Sequence, residues 1–148
     1  IPYKADMLIS CVDSVKARHV FYKDSKKSSY TTYWLDCGNT QSTGQIILGQ
    51  NSKNKPKEIL PSILDLYPNL DEFEEDSGPS CSLAEALASQ DLFINSTVSN
   101  FAGQLLWQLF RYGKLDHHGY FIDLKAGRTT PLKVCEKTWQ RMGYTNPS

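Results

Sequence analysis

Met7-Leu8-Ile9-Ser10-Cys11-Val12-Asp13-Ser14 is the stretch whose reading decides the fold. Its first six residues are apolar or small and do not alternate with charged ones, the pattern of a strand buried on both faces in a mostly parallel sheet. Asp13 and Ser14 end that strand. Ser14 then opens a short helix to Lys23, because Val15, Ala17, Arg18, Val20 and Phe21 follow no strand alternation. A buried strand followed by a helix gives an α/β class.

Downstream, the run from Lys23 to Ser29 reads as a polar, solvated connection. Tyr30 to Cys37, rich in Thr, Tyr and Trp, suits a central strand. Gly38-Asn39-Thr40 breaks it, and Gly44 to Gly49 supplies another short apolar strand. From 50 to 80 the chain changes character, with prolines at 56, 61, 68 and 79 and acids gathered between Asp65 and Asp76. A long crossing loop is expected there, and loops of that length carry function or act as linkers. Ser82-Leu83-Ala84-Glu85 matches a capping box and starts a helix.

Leu92 to Tyr112 carries the strongest helical periodicity, with Gly113 as terminator. Trp107 and Phe110 on it are expected as core or interface anchors. Gly119 to Leu124 reads as an edge strand, and Gly127 to Leu132 as a turn leading to a last extended piece. The tail after Cys135 shows no clear pattern.

Composition narrows the function classes. A chain of 148 residues, 40% hydrophobic and 22% charged, suits one soluble domain with an apolar core. Sixteen basic residues balance sixteen acidic ones, so no bulk field favours nucleic acid or an anionic bilayer. No apolar run approaches the roughly 20 residues of a membrane span. The first residues carry no pattern of a secretory signal. Cys11, Cys37, Cys81 and Cys135 include no Cys-x-x-Cys pair, so zinc is not expected. Cys11 and Cys37 sit in apolar stretches that read as buried strands. Reduced thiols and a cytoplasmic location follow as expectations.

Two residues carry the chemistry. Asp13 follows a parallel strand, and ligands of open α/β sheets bind beyond the carboxyl ends of strands. A carboxylate there suits a magnesium ion bridging to nucleotide phosphates, although an Asp in that position is more often a turn former or helix cap. Cys81 arrives from the long loop just before a capped helix start, where the positive end of a helix stabilises a thiolate nucleophile. A half-buried structural cysteine is the equally weighted reading. His117 and His118 point apart on a strand and are expected as surface turn residues. His19 or His118 could reach Cys81 only through the fold.

The order of features resembles the carboxyl-terminal half of the ThiF/MoeB/HesA family, which includes ubiquitin-activating enzymes. The resemblance rests on Leu8-Ile9-Ser10-Cys11-Val12-Asp13-Ser14 with downstream Arg18, then Asp36-Cys37-Gly38-Asn39 and Gly44-Gln45-Ile46-Ile47. It continues through Pro79-Ser80-Cys81-Ser82-Leu83-Ala84-Glu85-Ala86, the long helix and a terminal strand, from about residue 5 to 134. Within the family the chain looks most similar to ThiF-type proteins of PRTRC gene cassettes.

The resemblance implies a Rossmann-like mixed sheet with parallel and antiparallel strands, a long crossover loop and one long helix, here as a single partial domain. It implies ATP-dependent adenylation of the carboxyl terminus of a ubiquitin-like or sulfur-carrier protein. Asp13 resembles the family's magnesium and adenylate aspartate, Arg18 a supporting residue near the nucleotide, and Cys81 the cysteine that receives the acyl group. ATP, magnesium, the carrier protein and a homodimeric partner copy are implied with them, and a zinc-free subgroup. The family's glycine-rich phosphate loop would lie before Met7, so this chain alone is expected to bind ATP poorly. A non-catalytic dimerisation or interaction module is the alternative, and a cysteine hydrolase a third reading.

Overall fold

Strand β1 (Met7–Ser10) turns at residues 11–14 into helix α1 (Val15–Lys27), and β2 (Tyr33–Asn39) returns parallel to β1 with Ser10 opposite Asp36. This computed structural model describes residues 5–28, 30–51, 59–70 and 90–145. After β2 the pairing changes. The amide of Thr40 donates to Thr43 O at 2.8 Å, and so short a connection can only return β3 (Thr43–Gln50) antiparallel. Strands β4 (His117–Asp123) and β5 (Arg128–Lys133) extend the sheet in the order β1-β2-β3-β4-β5, also antiparallel. The α/β class and the mixed sheet hold; a mostly parallel sheet does not, because β1 and β2 form the one parallel pair among the described residues.

Helix α1 starts where Ser14 accepts a hydrogen bond from the Ala17 amide at 3.0 Å. It runs past the expected end and absorbs Lys23 to Lys27. Those charges did not mark a loop because they occupy the outer side while Ser25 is buried, its hydroxyl bonded to Tyr22 O at 2.9 Å. Lys26 and Lys27 in the last turn also suit the negative end of the helix.

Part of the expected crossing loop is ordered and buried. Helix α2 (Ile63–Leu66) has a capping box in which Ser62 and Asp65 satisfy each other's amides, and Leu60, Ile63, Leu64 and Leu66 enter the core. Its prolines and acids hid this apolar cluster.

Helix α3 (Ile94–Tyr112) lies across β2, β3 and β4, and Gly113 ends it with a φ of 63°. Ile94, Val98, Ala102 and Leu105 form its buried side, each large aliphatic contributing about 1.5–3 kcal/mol relative to exposure. Gly44 allows the close approach, since a Cβ there would stand 2.5 Å from Val98 Cγ2. Helix α4 (Glu136–Arg141) gives the tail after Cys135 a structure and buries Trp139.

Three burial expectations are corrected. Strand β1 lies at the sheet edge with Ile9 52% exposed, so it is not covered on both faces. Strand β4 is internal and β5 takes the other edge. Trp107 and Phe110 are 58% and 72% exposed, which removes them from the core and leaves the anchor reading only at a surface.

Candidate functional site

The carboxyl end of β1 gathers the residues of interest. Ser10 closes the strand, and the turn that follows presents Asp13 as an exposed side chain immediately before the Ser14 cap of α1. A carboxylate so placed has free lone pairs, the donor set that magnesium shares with waters and phosphate oxygens.

Arg18 takes a different position from one facing solvent. One turn into α1, it is buried against β2, and its Nε donates to Asp36 Oδ2 at 3.0 Å and Oδ1 at 3.1 Å. Ser10 Oγ donates to Asp36 Oδ1 at 2.7 Å and accepts from Trp34 Nε1 at 2.7 Å. Burial pushes the Asp36 carboxyl up, while Arg18 and Ser10 pull it back down. The resulting chain, Trp34 to Ser10 to Asp36 to Arg18, ties β1, β2 and α1 together directly behind the turn that carries Asp13. Gly38 leaves room for it: a Cβ there would stand 2.7 Å from an Arg18 terminal nitrogen.

The cysteines divide by setting. Cys81, with the capping box that follows it, lies outside the described residues. Cys11 is exposed, contrary to the buried strand position expected, because β1 ends at Ser10. Cys37 is buried beside it, and burial, with the neighbouring Cys11, pushes its thiol up to about 12. Cys135 heads α4, where the Thr138 amide and hydroxyl hold its thiol below the ordinary value.

The histidines also separate. His117 and His118 do point apart: His117 Nε2 meets the Tyr120 hydroxyl. His118 is not a surface residue. It is fully buried, with Nδ1 at 2.8 Å from Leu48 O and Nε2 accepting from Trp139 Nε1 at 2.8 Å. Burial lowers its pKa to about 4, so the imidazole is neutral and structural. Trp139, placed by an unassigned tail, was the missing partner.

A hollow of about 380 Å³ opens at the start of β4, lined by Gln108, Tyr112, Lys114, Asp116 and His117. It lies three strands from β1 in the sheet order and shares no residue with the Asp13 turn.

Asp36, Ser10 and Trp34 are the residues that sequence reasoning missed at the candidate site. Asp36 was visible only as part of a motif; a carboxylate inside an apolar strand is the signal that it needs a buried cation. Among the described residues no group of three or more His, Cys, Asp or Glu side chains is arranged to hold a metal ion. Likewise, no described helix is long and apolar enough to cross a membrane. No protein-family model matches this chain, and no curated protein matches it.

Proposed function

We propose that this chain is part of an ATP-dependent enzyme that adenylates the carboxyl terminus of a ubiquitin-like or sulfur-carrier protein. One observation carries the reading: the parallel pair β1 and β2 ends at an exposed carboxylate, Asp13, on the turn that leads into α1, whose Arg18 is anchored to β2 by a buried ion pair. Ligands of α/β sheets collect at such an end. Asp13 would be the residue that holds magnesium there, and the ion when bound would supply charge neutralisation for nucleotide phosphates.

Arg18 then acts chiefly as a positioning residue, because its Nε is committed to Asp36. Cys81 is proposed as the acceptor of the activated acyl group, and a Rossmann-like sheet is proposed to continue beyond β1, whose outer edge pairs with no described strand.

The test is carrier-dependent pyrophosphate exchange by the protein expressed from its whole reading frame. Asp13→Asn should reduce exchange by at least tenfold with Arg18 and Asp36 intact, and Cys81→Ala should spare exchange while removing any covalent carrier adduct. Undiminished exchange in Asp13→Asn would overturn the reading.

The exposed apolar side of α3 favours a second reading, a non-catalytic module that binds another copy of itself. Trp107 and Phe110 stand one helical turn apart on that side. Self-association without any exchange activity would select it.

A further inference from the structure

We propose that Cys11 and Cys37 form a hydroperoxide-sensitive dithiol that closes to a reversible disulfide between β1 and β2. The inference is independent of the adenylation reading and concerns thiols that reading does not use.

The sheet register places the pair. Ser10 lies opposite Asp36 in the last rung of the parallel ladder; Cys11 is the first residue past the end of β1, Cys37 is the next residue of β2, and the two thiols are close enough to act on each other electrostatically. At that last rung adjacent strands stand roughly 4.7–4.9 Å apart, inside the roughly 4.4–6.8 Å between Cα atoms that a disulfide spans, and the cysteines follow it by one residue on each side. Their exposure differs in the useful sense: Cys11 is open to solvent, and Cys37 is buried beneath it.

The chemistry balances with a hydroperoxide as oxidant. The Cys11 sulfur attacks a peroxide oxygen, the O–O bond breaks, and Cys11 becomes a sulfenic acid as water or an alcohol leaves. The Cys37 sulfur then attacks the Cys11 sulfur; the S–O bond breaks, the S–S bond forms, and hydroxide leaves as water with the Cys37 proton. Two thiols lose two electrons in total, and one peroxide gains them. A dithiol reductant reverses the bond by exchange. The link would fasten the end of β1 and the start of the Asp13 turn to β2, at the edge where β1 has one neighbouring strand among the described residues.

The experiment treats the native wild-type protein with one equivalent of hydrogen peroxide, blocks free thiols, and maps tryptic peptides without reduction. The expected product joins the peptides covering 5–16 and 28–53, dominates all other linked pairs, disappears with dithiothreitol, and falls to the level of the other pairs when oxidation is done in concentrated urea. A Cys11 oxidised to sulfinic acid beside a free Cys37, or a link found only between two chains, would overturn the proposal. In Cys37→Ser, dimedone should trap a sulfenic acid at Cys11 several-fold more than in wild type; no increase would count equally against it.

Discussion

The guanidinium of Arg18 lies 3.0 Å from the carboxylate of Asp36, with both side chains buried, 7% and 1% exposed. That pair joins α1 to β2 behind the turn that presents Asp13. Breaking it from one side leaves an uncompensated buried charge, which costs about 3–5 kcal/mol. Arg18→Met should therefore lower stability in urea unfolding by that order. The double variant Arg18→Met with Asp36→Leu should be less destabilised than Arg18→Met alone. Equal or greater loss in the double variant would show that the charge is not what matters.

Two glycines test how the layers approach each other. At Gly49 an added Cβ would meet Ser62 Cα and Cβ at 2.6 Å and its nitrogen at 2.9 Å, which is fixed structure at the start of α2. At Gly38 the first obstacle is the far end of the Arg18 side chain at 2.7 Å. Gly49→Ala should cost about 2–3 kcal/mol and Gly38→Ala about 1 kcal/mol, the difference between moving backbone and moving a side-chain tip. Chemical denaturation of both variants, with the order reversed, would contradict this account.

Stability should fall in mild acid through His118. Its folded pKa of about 4 lies below the ordinary 6.5, so the unfolded chain takes up a proton first. The contribution is complete above pH 6.5 and is lost as pH falls toward 4, a change of roughly 3 kcal/mol. Protonation also removes the lone pair that accepts from Trp139 Nε1. Unfolding free energies measured across that range should slope downward in wild type, and His118→Gln should flatten the slope. A slope unchanged by the substitution would assign it to other groups.

The outer side of α3 should be tolerant. Because Trp107 is more than half exposed, Trp107→Glu should change unfolding free energy by about 0.5 kcal/mol or less. Sedimentation is the informative measurement. If α3 joins two copies, Trp107→Glu combined with Phe110→Glu should abolish a dimer seen in wild type.

The local sequence determined a good deal by short-range physics. The Ser14 cap, the end of α3 at Gly113, the break between the apolar strands and the exposed Asp13 turn all depend on residues a few positions apart, so they could be read directly. What required tertiary structure was the company each side chain keeps. Arg18 became a buried partner of Asp36 because the parallel crossover brings α1 over β2. His118 went inside because Trp139, far along the chain, covers it. Lys23 to Lys27 joined a helix because one side of that run is buried, and Trp107 and Phe110 stayed outside because α3 is wide enough to bury only one face against the sheet. Periodicity and capping act over one or two turns; the pairing of a buried charge or an imidazole acts across the fold, and only the assembled layers decide it.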